Sequence, residues 1–240
     1  MASPFNPYQA PVVEPAPPVS AGDFDLGRTI QDGFERTKLY VGPAVAVLVL
    51  GGLLMVLSAL TVIGYFFAVP VLGWGMIKFF LNMQDQRQPT LNDLFAGFSN
   101  YWVVLGRMLL ATLIFIGLTL LSESLVFVGQ FMKSTPLMVI GYVIYMACFA
   151  LVLSRLYFTF FFVVDRDMPA VEAVSASWRA TQGKALKMFA LAILVGLVGM
   201  SGLIGLCVGV LFTVPMSYVM YASAFRQVAG YGSPAGGWRS

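Results

Sequence analysis

The sequence predicts an all-α fold: a polytopic membrane helical bundle of about six transmembrane helices, built as three hairpins, each preceded by a cytoplasmic interfacial amphipathic helix. Three observations predict it. Hydrophobic residues make up 59% of the chain and charged residues only 10%, against about 25% charged in a soluble domain. The apolar runs have the length of one or two bilayer crossings. The chain also repeats itself. "YFFAVPVLGWGMIKFFLNM" (Tyr65 to Met83) and "LFTVPMSYVMYASAFRQV" (Leu211 to Val228) share Phe67 with Phe212, Val69 with Val214, Pro70 with Pro215 and Phe80 with Phe225, each pair 145 residues apart.

Residues 1–22 hold Pro4, Pro7, Pro11, Pro15, Pro17 and Pro18. Such a stretch favours extended conformations and buries no core, so it reads as a disordered cytoplasmic tail, with a proline-rich partner ligand as the alternative. The integral domain follows over 23–228, in units of about 25–83, 90–165 and 168–228, and 229–240 reads as a flexible tail. Each unit opens on an amphipathic stretch. Leu26, Ile30 and Phe34 share one helical face in the first. Leu91, Leu94, Phe95 and Phe98 do so in the second, where Thr90 and Asp93 form a capping-box pattern. Val171, Val174 and Trp178 do so in the third, after Pro169 in a first-turn position. Phe34, Phe98 and Trp178 are thus equivalent membrane-surface anchors.

A crossing needs about 20 residues at ~1.5 Å each. Gly42 to Met83 is double that length and must fold back near Ile63, Gly64 and Tyr65. Tyr101 to Leu121 supplies a third span. A fourth begins near Pro136 and is overlong, as a tilted helix would be. Gly183 to Val228 gives spans five and six, turning near Gly202 and Gly205. Arg28, Arg36, Lys38, Arg87, Arg166, Arg179, Lys184, Arg226 and Arg239 then flank one side, and Lys133 alone the other. The positive-inside rule puts both termini in the cytoplasm.

The composition also excludes classes of chemistry. There is no histidine, the commonest general base and metal ligand. Cys148 and Cys207 lie in apolar runs and read as packing residues. No acidic pair within a span, phosphate-cradling motif or clustered basic patch is present, so the sequence predicts no enzyme, no metal, no cofactor and no nucleic-acid partner. The partners it implies are membrane lipids and a membrane protein or second copy of the chain. Two charges fall inside spans, Arg107 and Arg155. Intramembrane charge is costly and is a functional hypothesis by default. Facing inward, the two would grip a lipid phosphate or small anion; facing outward, they would snorkel to the headgroups. Lys78 and Lys187 read as interface anchors, and Glu123 as a solvated carboxylate at the outer end of span three. Asp165 and Asp167 are placed to cap the third amphipathic helix. Gly196, Gly199, Gly202, Gly205 and Gly209 form a small-residue track suited to close helix packing.

"VVDRDMPAVEAVSASWRATQGKALKMFALAILVGLVG" carries a span ending in Asp165, then Glu172, Ala173, Ser177, Trp178, Thr181 and Gly183; Gly205, Gly209, Thr213, Pro215 and Arg226 follow. Over about 25–228 the chain resembles the membrane domain attached to some bacterial glycerophosphodiester phosphodiesterases, and related stand-alone six-helix YciC-like proteins of unknown function. The resemblance implies a helical protein of the cytoplasmic (inner) membrane without established chemistry, since nothing in the sequence supplies the hydrolase's His and carboxylate metal cluster. The functional expectation is a non-catalytic scaffold or envelope-maintenance factor. The alternative is a transporter or channel for a lipid or small anion, using Arg107 and Arg155.

Overall fold

The computed structural model describes residues 24–204 and 209–230. The expected tails over 1–22 and beyond 230, and the positions Gly205 and Cys207, lie outside the described residues. All regular structure among the described residues is helical. The order is α1 (Leu26–Leu39), α2 (Val41–Ala59), α3 (Val62–Gln84), a 3₁₀ helix (Leu91–Asn100), α4 (Tyr101–Phe131), α5 (Thr135–Cys148), a π turn (Phe149–Leu153), α6 (Ser154–Leu156), α7 (Phe158–Asp165), α8 (Ala170–Ala180), α9 (Ala185–Ile204) and α10 (Val210–Val228).

Local chemistry sets most boundaries. Asp25 accepts from the Gly27 N–H at 2.8 Å and starts α1. Thr61 accepts from the Gly64 N–H at 3.0 Å and starts α3, so the first hairpin turns at Leu60 and Thr61. The Thr90 N–H donates to Asp93 at 2.9 Å, the capping box expected from the sequence. Gly183, just past α8, takes φ +73°, a left-handed conformation that glycine adopts without steric cost.

Five segments are long and apolar enough to cross a membrane: Val41–Ala59, Ile63–Gln84, Leu91–Phe131, Thr135–Asp165 and Ala185–Gly202. The chain is an integral membrane protein by this measure. The expected sixth span, α10, is not among them. It carries Ser217, Tyr218, Tyr221, Ser223, Arg226 and Gln227, and it buries Val219, Met220, Ala222, Ala224 and Phe225. Protein, more than lipid, surrounds it, so its composition is under less pressure to be apolar.

Two expectations about boundaries are corrected. Span three does not end at Leu121 but runs to Phe131, leaving only Met132 to Ser134 as a turn. Ser122 and Ser124 are compatible with a helix because their hydroxyls bond back to the Thr119 and Leu121 carbonyls, both at 2.8 Å. Gly129 and Gly141 then let α4 and α5 pack backbone to backbone: a Cβ on Gly141 would stand 2.6 Å from the Val126 nitrogen. Second, Asp165 and Asp167 do not cap α8, whose N-cap is Pro169. Both carboxylates go to arginines instead.

The amphipathic stretches form as helices, but their packing faces differ from the expected ones. In α1 the buried residues are Thr29, Gly33 and Thr37, while Ile30 and Phe34 stay exposed. In α8 they are Ala170, Ala173, Ala176, Ser177 and Ala180, while Val171 and Trp178 are exposed. The second stretch is 3₁₀ rather than α, and the difference in period splits its apolar face. Leu94 and Gly97, three apart, turn inward; Leu91, Phe95 and Phe98 turn outward. In α1 and α8 small residues thus face the bundle and large apolar ones face away, while the second stretch turns Gly97 inward beside Leu94. Close approach is the reason: a Cβ on Gly97 would stand 2.9 Å from the Val71 carbonyl, and one on Gly33 3.5 Å from the Met216 carbonyl.

The core has two lobes. One packs Phe158, Phe161, Phe162 and Phe225 with Met188 and Leu191. The other packs Val47, Leu72, Met76, Phe79, Phe80 and Val219. The repeat explains their relation. Phe80 and Phe225 are both fully buried, Pro70 and Pro215 both sit inside helices, and α3 meets α10 directly where Phe80 stacks on Tyr218 at 4.7 Å. The glycine track packs closely only at its end: a Cβ on Gly202 would stand 2.9 Å from the Val210 Cα, whereas Gly196 meets nothing.

Candidate functional site

One end of the bundle collects its charge. Asp85 closes α3, Asp165 is the last residue of α7, and Arg226 lies in the last turn of α10. Helix C-termini carry unsatisfied carbonyls and a partial negative charge, so two carboxylates there are unfavourable unless a cation joins them. Arg226 is that cation. Its Nε and Nη2 donate to the two Asp85 oxygens at 2.8 and 2.7 Å, and Nη2 lies 2.8 Å from Asp165 Oδ1. Arg166 adds a second cation at the same place, donating to the Ala229 carbonyl at 3.0 Å.

A layer of polar side chains fastens α1 to this end. Asp32 accepts from Ser223 of α10 at 2.6 Å and from Gln84 of α3 at 3.2 Å. Gln227 accepts from the Asp25 N–H at 2.8 Å and donates to Thr29 at 3.0 Å. Lys187, expected as an interface anchor, donates to the Phe24 carbonyl at 3.0 Å.

Arg107 and Arg155 are each engaged by protein. Arg107 pairs with Asp167 in the link between α7 and α8. Arg155 is only 7% exposed. Its Nε donates to Thr181 at 3.0 Å and its Nη2 to the Trp178 carbonyl at 2.9 Å, and its guanidinium lies 3.8 Å from the centre of the Trp178 ring. The Ser177 hydroxyl donates to the Arg155 carbonyl at 2.6 Å. Arg155 therefore clamps α6 to α8 through hydrogen bonds and a cation–π contact. The two arginines are thus taken up by different partners rather than aimed at a common one.

The three aromatic residues expected as anchors are alike in exposure. Phe34, Phe98 and Trp178 are 50%, 43% and 41% exposed, each on the outward side of its helix. Phe34 leans edge-on against Phe212 at 6.0 Å, and Phe98 stacks on Tyr101 at 6.0 Å. Glu123 is exposed on α4, and Cys148 carries no disulfide. Among the described residues no group of His, Cys, Asp and Glu is placed to hold a metal ion.

The helices from late α4 to α10, with their buried Arg155 clamp and the Asp165–Arg226 pair, are the part that comparison picks out. Residues 126–227 match the family model described as the membrane domain of glycerophosphoryl diester phosphodiesterase. The likeness to that membrane domain covers a narrower region than the 25–228 expected. No curated protein and no solved structure matches. Within the matched region the motif residues have structural work. Asp165 and Arg226 pair with each other, Ser177 and Thr181 hold Arg155, and Gly183 ends α8. Sequence reasoning missed Asp32, Gln84 and Asp85, which precede the matched region, and their neighbours Thr29, Ser223 and Gln227. They meet their partners across 141 to 191 positions for Asp85 and Asp32, and no local pattern marks such a contact.

Proposed function

We propose that the chain is a non-catalytic scaffold of the cytoplasmic (inner) membrane, with both termini in the cytoplasm and six crossings, serving envelope maintenance. One observation carries the reading. Asp32, Asp85, Asp165, Arg226, Arg107 and Arg155 bond to protein partners and fasten helices together. Each of these charges is spent on a contact between protein groups, where a transport site would leave charge facing a path. The lack of histidine supports the non-catalytic part, and the basic asymmetry supports the orientation. Phe34, Phe98 and Trp178 would seat the bundle at the membrane surface.

The test is purification in native nanodiscs from wild type and from the Arg107→Gln, Arg155→Gln double variant, followed by mass spectrometry of retained proteins and lipids. Only the double variant that elutes as folded protein is read, since both arginines fasten helices; a scaffold retains the same protein partners and lipids in it as in wild type. Loss of a bound anionic lipid or solute from the folded double variant, at an unchanged unfolding midpoint, overturns the scaffold in favour of an anion carrier. A periplasmic reporter fused after Ser240 stays inactive in this topology, and its activity would refute the cytoplasmic terminus.

A further inference from the structure

A cleft of about 200 Å³ opens between α3 and α4, near the end of α2, away from both arginines. Tyr65, Pro70 and Gly73 line one wall, and Met108, Thr112 and Ile116 line the other. Gly73 supplies no side chain to fill it; a Cβ there would meet only the Met108 Cε at 3.8 Å. Its walls belong to segments long and apolar enough to cross a membrane.

The cleft matches one leaflet in depth. α3 begins at Val62, beside the Leu60–Thr61 turn, and Gly73 lies eleven residues further on, about 17 Å of helix rise or roughly half of a ~30 Å hydrocarbon core. Tyr65 stands at the turn end, where an aromatic hydroxyl suits the headgroup level. Chemistry selects the occupant. An ordered water needs about two to four polar partners; the lining offers two hydroxyls, Tyr65 and Thr112, on different helices, and the other nine lining residues are apolar or glycine, so most of the cleft has no partner for water. A pocket that encloses a drug-sized solute has about 300–1,000 Å³, more than is available, whereas an acyl chain can seat part of its length here and leave the rest in the bilayer. Phe66 and Ile116 at the rim are exposed, so the cleft is continuous with the lipid-contacting surface of the helices.

We propose that this cleft seats a segment of one acyl chain of a phospholipid drawn from the leaflet at the Leu60–Thr61 turn. Because bilayer and cleft are both apolar, shape rather than the hydrophobic effect holds the chain: it fills a void that would otherwise forfeit dispersion contacts. No charged side chain lines the cleft, so the site selects the chain and ignores the headgroup. The inference is independent of whether the protein is a scaffold or a carrier.

The experiment is native mass spectrometry of the full chain in detergent. The probes are phosphatidylglycerol and phosphatidylethanolamine with identical acyl chains, and deacylated glycerophosphoglycerol. Wild type retains either phospholipid equally and the deacylated probe not at all. Gly73→Leu fills the cleft from α3 and lowers retention about tenfold, equivalent to ~1.4 kcal/mol. Should that variant not elute as folded protein, Thr112→Leu fills the same space from α4 and is read instead. Ile116→Ala widens the mouth and keeps retention. Equal retention by wild type and a folded filled variant overturns the proposal. So does a preference for one headgroup, or binding of the deacylated probe.

Discussion

Replacing Arg226 by Met tests whether the charged end holds the bundle together. Arg226 keeps 15% of its side-chain surface exposed, Asp85 22% and Asp165 13%. Breaking a buried ion pair by removing one partner costs about 3–5 kcal/mol, because the remaining charge loses its compensation. Partial exposure lets water rescue some of it, so Arg226→Met falls near the lower end, about 3 kcal/mol. At roughly 2–4 °C per kcal/mol for a chain of this size, the midpoint of thermal unfolding drops by about 6–12 °C. The assay is near-ultraviolet circular dichroism during heating in detergent micelles. The triple variant Arg226→Met, Asp85→Leu, Asp165→Leu removes all three charges and leaves Arg166 as the cation of this end. It recovers part of the loss, since replacing a buried charged triad by apolar residues is often neutral or stabilising. A single variant within about 2 °C of wild type refutes the reasoning, as does a triple variant less stable than the single.

Thr181→Val deletes the Arg155 Nε acceptor and leaves a buried donor unmatched; it lowers stability by about 1–3 kcal/mol, and its cycle with Arg155→Met shows coupling unless the hydrogen bond is energetically empty. Gly33→Leu drives a side chain toward the Met216 carbonyl and the Met220 side chain and costs about 1–3 kcal/mol as overpacking, whereas Gly42→Leu, which meets nothing, leaves the unfolding midpoint unchanged. Cysteines at Phe34, Phe98 and Trp178 label with water-soluble maleimide more slowly than one at Ser20, as membrane-facing positions should; equal rates would remove the surface-anchor role.

The sequence alone determined the class, a bundle of helices several of which are apolar and of span length. Apolar runs of span length leave only the bilayer as solvent, and periodic Phe and Trp positions mark the amphipathic helices, because these signals are local and come from transfer free energy and helical period. The Thr90–Asp93 capping box and the α3–α10 likeness were legible for the same reason, whereas the first turn falls at Leu60–Thr61, a few residues before Ile63, Gly64 and Tyr65 where the apolar run placed it. What only the tertiary structure decided is where each charge goes. Asp165 and Asp167 look like helix caps from neighbouring residues, yet they serve Arg226 and Arg107, since an arginine brought close by packing outcompetes a few backbone N–H groups. Arg155 looks like an anion ligand or a snorkelling cation until Thr181 and Trp178 are seen beside it. The inward faces of α1 and α8 were hidden because small residues carry little hydropathy. They pack inward because backbones must approach closely, a demand that arises between helices and leaves no periodic apolar signal within one.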